Sequence, residues 1–216
     1  GYRSQYVNNG GGCHTSVGYH AMRNATSGSL SNTAMGEHSM YSTTTGDYNA
    51  AFGSFSLYTN TTPGCMTALG AYALYGNTTG TNNTAVGYTA SYTNTTGADN
   101  VSQGFQALYS NSTGSFNTAI GTQASRGTTG SYNTAVGRQA LCNTTTGSYN
   151  VALGERAVFN NTTANGQTGV GYRALYSTTG ANNIGIGQCA GYNITSGSNN
   201  IGVGFCTYMA GSTGSH

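Results

Sequence analysis

Residues 83–99 read NTAVGYTASYTNTTGAD, and close variants of this segment recur along the chain. The glycine after the apolar residue, here Gly87, marks each repeat, and successive markers are separated by 16 to 18 residues, usually 17. The markers are Gly1, Gly18, Gly36, Gly53, Gly70, Gly87, Gly104, Gly121, Gly137, Gly154, Gly171, Gly187 and Gly204. A short period that fills the sequence predicts a solenoid. We therefore expect one domain over residues 1–216, with about thirteen turns.

The residues around each marker indicate parallel β-structure. A small residue and a large apolar residue alternate before it, which is the period of a strand with two different faces. A second glycine, such as Gly97, follows Thr-Thr and permits the positive φ of a tight corner. Seventeen residues are too few for the common helical repeats. We expect Val86, Ile120, Val136 and Ile186 to point inward, so that Val136→Asp would bury an unpaired charge.

The second residue after each marker tests whether the turns stack in register. Similar residues are neighbours in this column, as expected for side chains stacked turn on turn. The column reads Arg3, His20, His38, Phe55, Tyr72, Thr89, Gln106, Gln123, Gln139, Arg156, Arg173, Cys189 and Cys206. The spacing of about 4.8 Å between adjacent strands lies inside the disulfide range of Cα separations, about 4.4–6.8 Å. We predict a Cys189–Cys206 disulfide, although parallel side chains disfavour its torsion.

The composition excludes several classes of protein. Charged residues make up 5% of the chain, which contains 35 Gly, 17 Tyr and one Pro, whereas a typical globular protein is roughly one quarter charged. Low charge and many tyrosines favour a repetitive fold over a disordered one. The net charge of +2 is too small and too dispersed for a nucleic-acid surface. No apolar run is long enough to span a membrane.

The sequence offers no constellation for chemistry. Its acidic residues lie on different turns and form no pair for acid–base catalysis, and no Gly-x-Ser-x-Gly elbow is present. These residues are Glu37, Asp47, Asp99 and Glu155. His20 and His38 occupy adjacent turns, but two ligands are too few for a structural zinc site. We expect a polar histidine ladder, with no catalytic, cofactor or metal site.

Two columns are candidates for modification or recognition. Asn-x-Ser/Thr triplets cluster six or seven residues after the markers, which predicts N-glycosylation, although Asn-Thr-Thr also suits a corner. These are Asn24, Asn60, Asn77, Asn94, Asn111, Asn143, Asn160, Asn161 and Asn193. A tyrosine column five residues after the markers predicts either a self-supporting aromatic ladder or a lateral interface to sister chains or sugar rings. It contains Tyr6, Tyr41, Tyr58, Tyr75, Tyr92, Tyr109, Tyr176 and Tyr192.

The repeat also resembles a known family. Segments such as residues 117–121 and 133–137, Asn-Thr-Ala-Ile/Val-Gly, are similar to the Asn-Ser-Val-Ala-Ile-Gly repeat of trimeric autotransporter adhesin heads and of some phage tail fibres. The resemblance covers every repeat, and the repeats here are a few residues longer in the loop. It implies a left-handed parallel β-roll, side-by-side association of three rolls, and attachment to surfaces.

These observations together predict a non-catalytic segment of an extracellular, cell-surface or virion fibre with an adhesive role. The chain is expected to be a homo-oligomer, either a trimer or an end-to-end filament, with surface glycans as further partners. Neither end carries a helix or a charged cap, so we expect coils to continue or to be covered by other subunits. The alanine and tyrosine columns are the predicted lateral surfaces.

An ice-binding solenoid is the alternative. It rests on a threonine column three residues before the markers, which contains Thr15, Thr33, Thr67, Thr84, Thr118, Thr134 and Thr168. Against it, other residues interrupt the column, and the assigned alternation points these threonines inward.

Overall fold

The computed structural model describes residues 2–5, 12–26 and 29–207, and all twelve strands found there are three residues long. The chain divides into two compact units, Gly1–Thr113 and Gly114–His216. The first contains β1 (Thr15–Val17), β2 (Thr33–Met35), β3 (Ala50–Phe52), β4 (Thr67–Leu69), β5 (Thr84–Val86) and β6 (Val101–Gln103). The second contains β7 (Thr118–Ile120), β8 (Thr134–Val136), β9 (Val151–Leu153), β10 (Thr168–Val170), β11 (Ile184–Ile186) and β12 (Ile201–Val203).

Within each unit every strand pairs in parallel with the strand of the next turn. The partners are the repeat equivalents, for example Ala68 with Ala85 and Ala135 with Ala152. The prediction of an all-β parallel solenoid with a 17-residue repeat is therefore confirmed. The handedness, the count of thirteen turns and the single-domain organisation stay predictions, and Gly1 lies outside the described residues.

The marker glycines occupy a backbone conformation that side chains rarely adopt. Gly87 has a φ of +137°, and a Cβ added to it would lie 2.6 Å from the carbonyl oxygen of Gly104 on the next turn. At the marker the strand ends and the chain bends. The backbones of adjacent turns are in direct contact at this bend. Glycine is thus required both by its φ and by the close approach of the next turn.

The arc after each marker alternates in backbone conformation. Its second and fourth residues have positive φ, for example 58° at Tyr72 and 52° at Leu74. The Tyr72 amide donates to Ser54 on the preceding turn at 2.9 Å, whereas the Leu74 amide donates to Ala90 on the following turn at 3.0 Å. A left-handed conformation costs a non-glycine residue roughly 1–2 kcal/mol. The hydrogen bonds between turns and the complete burial of Leu74 offset that cost.

The inward assignment of the large apolar residues is wrong. The middle residue of the strand points inward, as at Ala85 and Ala135, which are completely buried. The third residue points outward: Val136 and Ile120 are each 36% exposed and Ile186 is 42% exposed, while Val86 is half-buried. Alternation distinguishes two faces without saying which one is inside.

The interior is too narrow for a large residue at the middle of the strand. The fourth residue after the marker is leucine, methionine or valine in eight turns, and there it already fills the space opposite. At Gly185, which replaces the middle alanine in β11, an added Cβ would lie 2.8 Å from the Ala190 carbonyl oxygen and 2.9 Å from the Leu175 side chain. Even a methyl group is too large in that turn, and the middle position of every described strand holds alanine, serine or glycine.

A buried ladder of asparagines lies directly before the strands. In the second unit, Asn133 donates through Nδ2 to the Gly147 carbonyl at 3.0 Å and to Asn117 Oδ1 at 3.1 Å. Its Oδ1 accepts the backbone N–H of Asn150 at 3.1 Å. Asn133 thus joins an asparagine of the preceding turn to a corner and an asparagine of the following turn. Buried backbone groups at the corner obtain partners in this way, as a buried polar group requires.

Candidate interaction surfaces

The outer face of the short strands is a regular, partly apolar surface in each unit. Its third-position column consists of large apolar residues except for Gln103, and most of these are substantially exposed, for example Val17 at 51% and Leu69 at 49%. No outward residue of the described strands is charged. We call the first- and third-position residues of the strands the strand face. Exposed apolar surface that repeats in this way is typical of an interaction site.

The threonine column also lies on the strand face. Because the middle residue points inward, the first residue points outward with the third, as Thr84 and Thr134 do. The expectation that the threonines point inward is wrong for the same reason as the inward assignment of the valines. Threonine and a large apolar residue therefore lie together on the outer face of the strand, whereas the sequence alternation was assigned to the opposite faces.

The tyrosine column forms stacked aromatic ladders. In the first unit, successive rings from Tyr41 to Tyr109 have centroids 5.1–5.3 Å apart and planes within 16° of parallel. In the second unit, Tyr176 stacks between Phe159 at 5.1 Å and Tyr192 at 4.9 Å. Their rings are half-buried. The predicted self-supporting ladder is confirmed, and the lateral role of these tyrosines stays a prediction. Tyr6 lies outside the described residues.

The alanine columns are not lateral surfaces. The middle-strand alanines such as Ala68 and Ala152 and the alanines three residues after the markers, such as Ala73 and Ala174, are completely buried. The prediction that an alanine column mediates lateral contact is therefore wrong. The small size of these residues instead fits the narrow interior of one coil.

Five of the nine candidate glycosylation residues are buried. Asn94, for example, donates through Nδ2 to the Gly97 carbonyl at 2.9 Å and to Asn77 Oδ1 at 2.8 Å. Bonds of the latter kind, each donated by Nδ2, join Asn60, Asn77, Asn94 and Asn111 into a second asparagine ladder in the first unit. A glycan on that nitrogen would have no room in the folded turn, so the prediction is wrong for Asn60, Asn77, Asn94, Asn111 and Asn161. Asn24, Asn143, Asn160 and Asn193 are exposed or half-buried, and their glycosylation stays a prediction.

The two cysteines of the second residue column are adjacent but not bonded. Cys189 and Cys206 are both free thiols in this structure, so the disulfide that we predicted is absent. The thiols are hydrogen-bonded, and partial burial together with the Cys189 side chain raises the pKa of Cys206. Stacking in register brings the two residues together, whereas the parallel direction of their side chains is unfavourable for the disulfide torsion.

The charged residues make local contacts. Arg138 donates to Glu155 at 2.6 Å, and this hydrogen bond lowers the pKa of the Glu155 carboxyl. His20 Nδ1 and His38 Nε2 lie 3.2 Å apart, which confirms the predicted histidine ladder. Partial burial, followed by nearby Arg23 and His38, lowers the pKa of His20. Among the described residues, no group of three or more His, Cys, Asp or Glu side chains is placed to hold a metal ion.

An aromatic groove of about 350 Å³ opens on the first unit. It lies where the second residue column changes from aromatic residues to Thr89, and we call it the Thr89 groove. Its lining consists of Tyr72, Tyr88, Thr89, Tyr92, Gln106 and Tyr109. The sequence contained one signal of it, a small residue that interrupts an aromatic column. The sequence did not show that Tyr88, in the column directly after the markers, forms one wall of the groove.

In the part of the chain that the structure describes, no helix has the length and apolar character to cross a membrane. No protein family, curated protein or solved structure matches this chain.

Proposed function

We propose that this chain is a structural segment of an extracellular fibre, on a cell surface or a virion, in which coils associate laterally through the strand face. Its role is non-catalytic, and adhesion is the task that the fibre serves. The resemblance of the repeat to adhesin heads and tail fibres supports the same role. The trimeric arrangement and the left-handed coil belong to this proposal.

The exposure of the strand face is the observation that carries the proposal. Leu153 and Ile186 are 37% and 42% exposed, and similar residues occupy the third position of almost every described strand. A monomer in water gains nothing from leaving such a column uncovered. Burying it against a partner would contribute roughly 25 cal/mol per Å² of apolar area.

The regularity of the strand face restricts what can cover it. Its residues repeat at the spacing of adjacent parallel strands, about 4.8 Å. A second copy of this chain has the same repeat along its axis, so its strand-face residues can stay in register with those of the first copy along the whole contact. The absence of charged residues from the described strand face removes the like-charge repulsion that would otherwise oppose contact between identical surfaces. We therefore assign the strand face to a second copy of this chain.

Sedimentation velocity over a range of protein concentrations tests this assignment. The unmodified chain should form species larger than the monomer, and their fraction should increase with concentration. Leu153→Glu combined with Ile186→Glu places two carboxylates on the strand face and should shift the material to monomer. Thr146→Glu combined with Thr163→Glu adds the same charge at exposed corner positions and should assemble normally. Monomer at all concentrations of the unmodified chain would refute the proposal.

Ice binding is the second candidate, because the outward threonine column removes the main argument against it. Thr118, Thr134 and Thr168 share a face with Ile120, Val136 and Val170. A crystalline surface is the other kind of partner that a regular array can match. Interruptions by Val151, Ile184 and Ile201 weaken the array.

Thermal hysteresis of a monomeric solution decides between the two candidates. If the strand face binds ice, hysteresis is measurable, and replacing Thr118 and Thr134 by lysine abolishes it. If the face is an assembly surface, neither form shows hysteresis, while the carboxylate variant still changes the sedimentation.

A further inference from the structure

Thr89 interrupts a stack of aromatic rings. His38, Phe55 and Tyr72 occupy the same column on successive turns, with ring centroids 5.0 Å and 5.2 Å apart. The next residue of the column is Thr89, so the stack ends at Tyr72. Tyr88 meets Tyr72 edge-on at 6.2 Å, and Tyr92 is tilted against it at 6.3 Å. The ring face of Tyr72 that the stack leaves uncovered therefore borders the Thr89 groove.

We propose that the Thr89 groove binds one neutral sugar ring, a hexose or an N-acetylhexosamine, stacked on Tyr72 between Tyr88 and Tyr92. The inference rests on the adhesive role proposed above, and it names the class of surface ligand that this role would use.

The chemistry of the lining fits a neutral sugar. The C–H face of a pyranose ring packs on an aromatic face, and its hydroxyl groups need donors and acceptors at the edge. Thr89 Oγ1 donates to the Tyr88 carbonyl at 2.8 Å and retains capacity to accept. The Tyr92 hydroxyl is a donor at neutral pH, as any tyrosine hydroxyl is, and partial burial with neighbouring tyrosines raises its pKa further. The lining contains no charged residue, which disfavours ionic ligands.

The dimensions favour a puckered ring over a flat one. Tyr72 and Gln106 are two turns apart, roughly 10 Å at the spacing of adjacent strands. A flat aromatic ring at van der Waals distance from both sides would need only about 7 Å. A pyranose chair is thicker because its axial hydrogens project from both faces. The volume of about 350 Å³ lies at the lower end of ligand pockets, roughly 300–1,000 Å³, and suits a single ring.

Saturation-transfer NMR measures binding directly on the purified chain. The probes are the methyl glycosides of glucose, galactose, mannose and N-acetylglucosamine, with phenol as a flat aromatic probe. We expect transfer to at least one glycoside, with millimolar affinity and the strongest effect on the ring C–H protons. The chain contains no tryptophan, so tyrosine fluorescence gives an independent titration.

Two variants and a matched control locate the site. Thr89→Tyr places a ring in the gap, and it should fold, since Tyr72 adopts the same left-handed conformation in that column; it should abolish binding. Tyr92→Leu removes a wall and should weaken binding at least tenfold. Tyr176→Leu makes the same change in the ladder of the second unit and should bind like the unmodified chain.

Three results would overturn the inference: no transfer to any glycoside, unchanged glycoside binding in Thr89→Tyr, or binding of phenol alone, which would assign the groove to flat aromatic ligands. Sedimentation of the same samples separates the two proposals, because a chain that assembles without binding glycosides retains the fibre function and loses only this site.

Discussion

At the scale of single residues, burial depends on the width of the coil more than on hydrophobicity. Alanine occupies the interior position of the strand, and the larger valine, leucine or isoleucine beside it lies on the outside. Hydrophobic ranking alone predicts the opposite arrangement, because a larger apolar side chain gains more from burial. The sequence therefore shows the two faces of the strand, whereas the complete burial of middle residues such as Ala135 shows which face is inside.

Adjacent substitutions in β8 test the corrected orientation. Ala135→Asp places a carboxylate at a completely buried position, and we expect it to lower the free energy of unfolding by about 3–5 kcal/mol or to prevent folding. Val136→Asp changes an outward residue, and its cost should be below about 1 kcal/mol. Chemical denaturation followed by circular dichroism measures both. Equal destabilisation by the two variants would contradict the assignment.

The marker glycines give a second prediction at this scale. Gly87→Ala combines a φ of +137° with a Cβ 2.6 Å from a backbone carbonyl on the next turn, and neither conflict can relax without separating the turns. We expect a loss of about 3 kcal/mol or more. Gly12→Ala is the control, since its added Cβ would meet only Leu30 Cδ2, at 3.8 Å. Thermal melting should distinguish the two clearly, and equal melting temperatures would argue against the requirement for glycine.

At the scale of the structural element, a buried asparagine before most of the described strands links neighbouring turns; Met66 and Gln167 hold this position before β4 and β10. The repeat made this residue visible in the sequence, and Asn-Thr-Thr could be predicted as a corner. Its burial could not be predicted, because asparagine is ordinarily an exposed residue. The solenoid buries it only because the same amide recurs on neighbouring turns and supplies the hydrogen-bond partners.

Asn133→Ala should destabilise the second unit. It removes the donors to Gly147 and Asn117 and the acceptor for the Asn150 amide, so buried backbone groups lose their partners. We expect a cost of about 2–4 kcal/mol. Asn143→Ala removes an exposed side chain whose amide donates to Asn160 Oδ1 at 3.2 Å, and it should cost less than about 0.5 kcal/mol. A comparison of urea denaturation midpoints checks both values.

His14 occupies the ladder position in the first turn and makes that turn sensitive to pH. Its Nδ1 accepts the Asn32 amide at 3.2 Å, which requires the neutral ring. Burial lowers the pKa of His14, although the hydrogen bond to Ser29 and the charge of Asp47 act in the opposite direction. The stability that neutral His14 contributes is complete above its ordinary pKa, about 6.5, and is lost as the pH falls from that value through the lowered folded-state pKa.

Hydrogen exchange of the Asn32 amide measures this effect. Its protection factor, corrected for intrinsic exchange, should decrease as the pH falls below about 6.5. In His14→Asn the acceptor is an amide oxygen that does not titrate, so protection should be independent of pH over that range. A protection factor that falls equally in both chains would exclude His14 as the cause.

At the scale of the whole molecule, the fold followed from the period together with the alternation before each marker, because a 17-residue repeat of short strands permits few architectures. The sites did not follow in the same way. The Thr89 groove and the strand face depend on residues that are distant in sequence and belong to different columns. Which side of a turn each of the residues after a marker faces depends on the positive φ of the second and fourth of them. The sequence carries no distinct signal for these φ values.

The stacked arrangement also predicts how damage spreads. Each turn contacts its immediate neighbours, so stability is approximately a sum over adjacent interfaces. Ala68→Asp in β4 places a charge at a buried position and should raise exchange of the Thr67 and Ala50 amides, which bond to adjacent turns, at least tenfold. The Gly36 amide, which bonds to Val17 further along the first unit, should change less than about threefold if openings remain local. Leu69→Asp, at a position 49% exposed, should leave all three amides protected. Equal loss of protection at all three amides in Ala68→Asp would instead show that the first unit unfolds as one cooperative block. The coupling between adjacent turns would then be strong enough to prevent a few turns from opening by themselves.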